Sequence, residues 1–239
     1  MNLVYEHPWP TNKRDAFPIR DEALGKIVIK STDIEPKTIA AVDAAYGYAG
    51  SVVYASAVAV TLPDMTVVER SGAFYAVAFP YHPGMFYFRE GRTVIEALAG
   101  LECDPDLIMV ARHGIAHPRR CGMACHVGIA FDKPTIGCAR KLLAGTHNLL
   151  DSAEGSSDSI MLDNKEVGIA YRSRENVKPI YISPAHRCDI TFARETVISC
   201  LQGNRQPEPL RLAHLFANKL KRAKEKNRPS SGRQSTPKS

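Results

Sequence analysis

Three strand-type segments separated by very short connections constrain the fold of this chain more than any other feature. They cover residues 39–46, 51–62 and 66–79, and glycine, proline and aspartate mark the turns between them. Connections this short leave no room for a crossover, so the three segments must pair as antiparallel hairpins. The 239 residues, 44% of them hydrophobic and 23% charged, suffice for one core. This composition excludes a mostly disordered, collagen-like or coiled-coil chain.

The pattern changes after these strands. Val94, Leu98 and Leu101 share one helical face, which predicts an amphipathic helix over about residues 88–101. The other predicted elements are an N-terminal arm or capping helix within 1–35, a strand at 106–111, a helix at 119–131, a strand at 134–138, a loop at 145–158, a hairpin at 159–172, a strand at 179–183, a helix after Asp189 and a last helix from Pro207. This order favours an α/β fold of the ribonuclease H-like type. Its mixed sheet has three antiparallel strands followed by parallel strands, and helices flank it.

The positive charge is concentrated at the C-terminus. The formal net charge is +6, but residues 218–239 hold eight basic residues and one acidic residue, a formal +7. The other 217 residues therefore carry about −1. We expect a single domain at residues 1–218 and a basic arm at 219–239, which is disordered beyond Arg228. Such an arm adds salt-sensitive attraction to phosphates that does not depend on sequence.

The sequence predicts a cytoplasmic protein that does not contact membranes. It has no signal-peptide core and no apolar run of about 18 residues. Its six cysteines contain no C-x-x-C pair and are expected to be reduced and buried. A zinc site formed by Cys121, Cys125 and His126 is an alternative, although the spacing fits no common structural zinc pattern.

Two carboxylates stand out because they lie in apolar surroundings. Asp43 lies inside the first strand, and burial of a bare carboxylate requires a cation, a metal or a proton. Glu90 shares the apolar helical face of Val94 and Leu98. Together they are a plausible pair of ligands for Mg or Mn. The alternatives are a carboxylate at a frayed strand edge and an acid on a solvated first helical turn.

The segment from His113 to Gly122 is the densest cluster of chemically active side chains. It follows a predicted strand end, where ligand sites gather in α/β sheets. Gly114 permits close approach to the backbone, and Arg119 and Arg120 can hold phosphate oxygens. A basic turn leading into a helix is the alternative.

Seven segments of the chain resemble the endonuclease V family, the deoxyinosine-specific nucleases, and they follow the family order over about residues 38–220. They are Val42-Asp43, Pro80-Tyr-His-Pro-Gly84, Phe88-Arg-Glu-Gly91, His113-Gly-Ile-Ala-His-Pro-Arg119, Pro134-Thr-Ile-Gly137, Ile182-Ser-Pro-Ala-His-Arg187 and Pro207-Glu-Pro-Leu-Arg-Leu-Ala-His214.

The resemblance implies a ribonuclease H-like fold and Mg-dependent hydrolysis, with Mn as a substitute, of the second phosphodiester bond 3′ to deoxyinosine. Tyr81 would fill the duplex while the damaged base turns into a pocket, and main-chain groups near Gly84 and Gly114 would read that base. Asp43 and Glu90 correspond to metal ligands. The implied catalytic residues are Asp43, Glu90, Arg140 and His214; the implied lesion and nucleic-acid contacts are Pro80, Tyr81, Pro83, Gly84, Arg112, His113, Gly114, His117, Arg119 and Gly137.

The sequence departs from the family pattern at three positions. Ala111-Arg112 stands where the family has Asp-Gly, and that Asp is normally a metal ligand. Arg140 stands where the family has Lys. One prediction is therefore a DNA repair endonuclease; the other is an impaired member that binds inosine-containing DNA or RNA without efficient cleavage. The preference between DNA and RNA stays open, and we expect a monomer.

Overall fold

The computed structural model describes residues 1–30 and 32–226. Within them, eight strands form one sheet, and five α-helices flank it. The strands are β1 Thr38–Gly47, β2 Val52–Thr61, β3 Val67–Ala76, β4 Leu107–Val110, β5 Thr135–Ala139, β6 Ser157–Leu162, β7 Lys165–Tyr171 and β8 Ile180–His186. The helices are α1 Lys13–Lys26, α2 Phe86–Ala99, α3 Met123–Phe131, α4 Ile190–Ser199 and α5 Glu208–Lys226.

The strand order is β3-β2-β1-β4-β5-β8-β7-β6. The first three strands form the expected antiparallel hairpins, and β1, β4 and β5 run parallel. Strand β8 then pairs antiparallel with β5, and β7 and β6 extend the sheet in the same manner. The predicted mixed α/β sheet is confirmed. The ends of β4 and β5 lie beside the middle of β1, where Asp43 stands, and the candidate residues converge there.

The burial of the first strands explains their sequence patterns. Strand β2 is buried along eight consecutive residues because helices pack on both faces of the sheet, which accounts for its continuous apolar run. Strand β3 is an edge strand of the sheet, and its side chains alternate between half-buried and exposed. Helix α2 covers one face of β2 and α5 contacts β1 and β2.

Helix α5 extends past the predicted domain boundary at residue 218. The Tyr48 amide donates to Glu225 Oε1 at 3.1 Å, and a Cβ atom on Gly72 would lie 2.9 Å from Leu220. Residues 219–226 are therefore a packed helical end of the domain and not part of a disordered arm. Five of the eight basic residues of the C-terminal segment lie on this helix. The disorder expected beyond Arg228 falls outside the described residues.

Two other predicted bounds shift for local reasons. Helix α3 begins at Met123, not near 119, because Arg120 adopts a φ of 51° and the Gly122 amide donates to Gly114 O. Strand β6 begins at Ser157, inside the predicted loop. The N-terminal segment contains α1, capped by Asn12. Of the two expectations for this segment, an arm or a capping helix, the helix is the one observed. No helix within the described ranges is long and apolar enough to span a membrane.

Candidate active site

Asp43 lies in the middle of the sheet, where only a paired carboxylate is tolerated. It sits in β1 opposite Ser56 of β2, and its side chain is 3% exposed. The Ser56 hydroxyl donates to the Ala213 carbonyl of α5 at 2.6 Å, which fixes this helix against the strands beside Asp43. Because Ala213 precedes His214, this bond positions the histidine. The frayed-edge alternative for Asp43 is wrong, since β1 is an interior strand.

Glu90 reaches the same point from α2. Its residue is fully buried, along with Val94 and Leu98 on the same helical face, so the solvated-turn alternative is also wrong. Arg89 fixes the start of the helix, because its guanidinium donates to the carbonyls of Phe79 and Gly50.

Arg112 joins the two carboxylates. Its Nη1 lies 3.4 Å from Asp43 Oδ1 and its Nη2 lies 2.8 Å from Glu90 Oε2. Nη1 also donates to the Ala111 carbonyl at 2.8 Å. A guanidinium thus occupies the space between two buried acids and supplies the positive charge that their burial demands.

His214 completes the cluster on the side of α5. Its Nδ1 lies 2.8 Å from Asp43 Oδ2, and since a carboxylate only accepts, Nδ1 carries the proton. Arg140 Nη2 lies 3.4 Å from the same oxygen and 3.0 Å from Nδ1. Nε2 is then the proton acceptor of the ring, and Asn218 Nδ2 approaches it at 3.3 Å. The imidazole is oriented to take a proton at Nε2.

The electrostatics agree with this network. Burial raises the pKa of Asp43, but the hydrogen bond from His214 and the charge of Arg112 outweigh it and hold this pKa below its ordinary value. Burial lowers the pKa of Arg112, while the charges of Glu90 and Asp43 overcome that effect and raise it. Asp43 and Arg112 are therefore both charged at neutral pH and lie within ion-pair distance.

The residues at this point do not fit a divalent cation. Ala111 directly follows β4 beside Asp43 and has only a methyl side chain, and Arg112 is paired to both Asp43 and Glu90. Across residues 1–30 and 32–226, no three His, Cys, Asp or Glu side chains form a group that could hold a metal ion. That result also removes the zinc alternative. The Cys121 Sγ to His126 Nε2 distance of 3.4 Å is a hydrogen-bond contact.

An open cleft of about 490 Å³ lies over the cluster. Asp43, Glu90, Arg112 and His214 line its floor, and the adjacent Arg140 and Lys141 line its side. The candidate catalytic residues thus converge on one solvent-accessible volume. We refer to it as the acidic-basic cleft.

The predicted wedge forms an exposed loop before α2. Tyr81 is 60% exposed and contacts Phe86 edge-on at 5.5 Å, and Pro80 and Pro83 beside it are exposed. Gly84 adopts a φ of +74°, which favours glycine, and a Cβ atom there would lie 3.5 Å from His117 Nε2. The loop presents a free aromatic ring, as insertion into a duplex requires.

Glycines allow the turn that follows β4 to pack closely against β5 and β8. A Cβ atom on Gly137 would lie 2.4 Å from the Gly114 amide nitrogen, and one on Gly114 would lie 2.1 Å from the Pro184 carbonyl oxygen. The Gly114 amide donates to the Ser183 hydroxyl at 2.8 Å. These two glycines pack the turn, and the Gly114 amide is already used. That main-chain groups near Gly84 and Gly114 read the base stays a prediction, with the Gly114 amide itself engaged by Ser183.

The histidines of the turn are neutral at pH 7. His113 Nε2 approaches the Lys141 carbonyl at 2.9 Å, and burial lowers the pKa of His113 to about 4. Burial likewise lowers the pKa of His117, which lies against Gly84, to about 4. Arg119 is exposed at the rim of the turn. A neutral imidazole offers one donor and one acceptor, which suits the polar edges of a base.

The implied base pocket is nearly closed. Gly84, Phe86, His113 and His117 line a cavity of about 30 Å³, which is room for about two water molecules. A purine base enters only if a wall moves.

Three residues that support the site were not singled out in the sequence. Asn218 is one helical turn after His214, a spacing that could have revealed it. Ser183 lies within a matching segment, but its bond to Gly114 depends on the β5–β8 pairing. Arg205 donates to the Arg140 carbonyl at 2.7 Å from a loop with no recognisable signal.

Comparison with known proteins decides the family. The model of the family described as Endonuclease V matches residues 22–215. Endonuclease V of Roseiflexus castenholzii is 37% identical over 218 residues, covering 91% of this chain and 97% of that protein. The chain belongs to the Endonuclease V family.

Solved structures agree with that assignment. The crystal structure of Endonuclease V from Streptomyces avermitilis superposes with a TM-score of 0.84 at 34% identity, covering 90% of this chain and 96% of that one. Endonuclease V from Ciona intestinalis, in complex with a 24mer DNA containing an inosine followed by a ribo-adenosine, has a TM-score of 0.74 at 21% identity, covering 88% and 98%, and shows the shared fold. The predicted class, a nuclease of the hydrolase type, is confirmed, and Endonuclease V is a family of metal-dependent nucleases.

Proposed function

We propose that this member of the Endonuclease V family binds deoxyinosine in DNA and cleaves the strand inefficiently. One observation carries the proposal: Arg112 pairs with both candidate metal ligands, while Ala111 stands where the family pattern has a third. Loss of one carboxylate and gain of one guanidinium changes the formal charge of the site by +2. Both changes disfavour the binding of a divalent cation at this site.

Lesion recognition depends mainly on the Tyr81 loop and on a small cavity to whose wall Arg112 also contributes. Tyr81 is exposed on its loop, and the neutral His113 and His117 line the small cavity beside it. An aromatic ring that fills the vacated space and a polar pocket that receives the base are the requirements for recognising a flipped nucleotide. The Ciona protein bound to inosine-containing DNA has the same fold.

His214 retains the features of a general base for hydrolysis. Asp43 accepts the Nδ1 proton, and Nε2 can take a proton from a water molecule in the cleft once that water replaces the Asn218 amide group, which approaches Nε2 at 3.3 Å. The chemistry that Mg supplies in a nuclease is neutralisation of the phosphate and polarisation of water, and the residues of this cleft do not fit that ion. Mg-dependent hydrolysis of the second bond 3′ to the lesion, with Mn as a substitute, stays a prediction for this chain.

Parallel binding and nicking assays on one duplex test the proposal. The wild type should bind a duplex containing inosine more tightly than its adenine counterpart and nick it slowly in Mg or Mn. The variants Ala111→Asp with Arg112→Gly, and the same pair with Arg140→Lys, should gain metal-dependent nicking. The Streptomyces avermitilis protein serves as the cleaving control.

Two results would count against the proposal. Nicking by the wild type at the rate of the control would show that the substitutions do not impair cleavage. Equal affinity for the inosine and adenine duplexes would show that the chain does not recognise the lesion. The same assay with an inosine-containing RNA determines the preferred nucleic acid.

A further inference from the structure

We propose that Arg112 and Arg140 form a phosphate-binding site that holds the nucleic-acid backbone in the acidic-basic cleft without a divalent cation. The inference rests on the proposed function and names the groups that bind the nucleic-acid backbone. Arg112 is in this view the permanent substitute for the metal charge, and it also contacts the phosphate.

Both arginines have donors left for a ligand. A guanidinium has five N–H groups. Arg112 Nη1 donates to Ala111 O and Asp43, and Nη2 donates to Glu90, so one N–H on Nη2 and one on Nε have no acceptor among the described residues. Arg140 contacts the cluster through Nη2 alone. Its side chain is 42% exposed, and its remaining N–H groups are available to the cleft.

The charge of the cleft suits a phosphodiester without added metal. Among the lining residues, Asp43 and Glu90 contribute two negative charges, and Arg112, Arg140 and Lys141 contribute three positive ones. The sum of +1 attracts one phosphate. Planar guanidinium groups match phosphate oxygens bidentately, which an ammonium group cannot do.

A divalent cation would have to separate an established ion pair to enter. It would compete with Arg112 for Asp43, whose pKa is already held low, and for Glu90, which is fully buried. Separating Arg112 would leave a partly buried guanidinium without its partners, which is strongly unfavourable. Nucleic-acid binding should therefore not require Mg, and added Mg should not strengthen it.

The test is fluorescence anisotropy with a labelled duplex containing one inosine, measured in EDTA and in Mg at constant ionic strength. We expect the wild-type Kd to differ by less than about twofold between the two conditions. Arg112→Met should weaken binding in EDTA by about tenfold or more, since charged hydrogen bonds are lost. Mg should restore part of that affinity, because the two carboxylates are then free to hold the ion.

Other variants separate the contributions. Arg140→Met should weaken binding and stay insensitive to Mg, because Arg112 still balances the acids. Each arginine variant should reduce the slope of log Kd against log salt by about 0.9. Arg187→Met is the matched control. It removes an arginine of similar exposure that pairs with Asp132, and its Kd should equal that of the wild type.

The outcomes distinguish this inference from the proposed function. Absence of inosine preference in both EDTA and Mg overturns the proposed function. Inosine-selective binding that weakens more than tenfold in EDTA overturns the phosphate site alone. If Arg112→Met does not fold, the comparison of wild-type Kd in EDTA and Mg and the salt slope of Arg140→Met still decide whether the phosphate site exists. Arg112→Lys tests whether binding needs the planar guanidinium group.

Discussion

Removal of the Arg112 charge should destabilise the fold in a way that depends on pH. In Arg112→Met, Asp43 and Glu90 stay buried with side-chain exposures of 3% and 0% and lose their shared cation. Breaking a buried ion pair from one side costs about 3–5 kcal/mol. The Arg112 side chain is 29% exposed, so we take the lower limit, about 3 kcal/mol. For a domain of this size that loss lowers Tm by about 6–12 °C.

The pH dependence follows from the signs of the pKa shifts. In the wild type the pKa of folded Asp43 is lowered, so its stabilising contribution is complete above about pH 4 and is lost only below that. In the variant, burial without the cation raises the carboxylate pKa, and protonation then stabilises the folded state. The difference in Tm should therefore shrink from pH 8 to pH 5. His113 and His117 destabilise both proteins as pH falls, because burial lowers their pKa.

Thermal and urea unfolding at pH 5, 6.5 and 8 measure the effect. Glu90→Gln in the Arg112→Met background should recover a large part of the loss, because it removes one unpaired buried charge. The same Glu90→Gln change should destabilise the wild type, since it removes one of the two charges that balance Arg112. A Tm difference that is constant across pH, or a variant as stable as the wild type, would refute the assignment of Arg112 as the balancing charge.

Three further outcomes follow from the structure. Tyr81→Ala should leave Tm unchanged, because the ring is 60% exposed, and should reduce the affinity for the inosine duplex by about tenfold; an equal loss on the adenine duplex would contradict the wedge role. Gly114→Ala should lower the free energy of unfolding in urea by about 3 kcal/mol or more, because its Cβ would lie 2.1 Å from the Pro184 oxygen. The control is Gly25→Ala inside α1, where a Cβ meets nothing within 4 Å; it should be neutral or should stabilise the fold by about 0.5–1 kcal/mol. Ending the chain at residue 226 should lower only salt-sensitive binding, whereas ending it at 218 should also lower Tm, because Glu225 then no longer accepts from the Tyr48 amide.

The periodicity of the sequence was enough to predict most of the fold. Hairpin spacing correctly predicted the strands 39–46 and 51–62, and the apolar face of Val94 and Leu98 correctly predicted helix α2. The burial of Asp43 and Glu90 followed from apolar neighbours alone. The last helix from Pro207 was expected to run into the basic arm. Its packing against the domain at 219–226 did not follow, because the charged composition masks contacts with Gly47 and Gly72 that exist only after β1, β2 and β3 have paired.

The contacts between distant segments could not be predicted in this way. The Ala111-Arg112 departure is visible in the sequence, but the bridging of two acids by one guanidinium depends on β4 lying beside β1 with α2 above them. Likewise, the occupied amide of Gly114 depends on Ser183 in β8, about 70 residues away. Local patterns specify which residues are unusual, while three-dimensional pairing determines which of them meet.

The small cavity and the acidic-basic cleft share a wall formed by Phe86, Arg112, His113 and Leu143. A base that widens the cavity must displace part of this wall, and the displaced side chains also shape the place where a phosphate binds. Occupation of one compartment therefore changes the affinity of the other, and thermodynamic reciprocity requires the same coupling factor in both directions. Binding of the base and binding of the backbone are thus expected to be thermodynamically coupled.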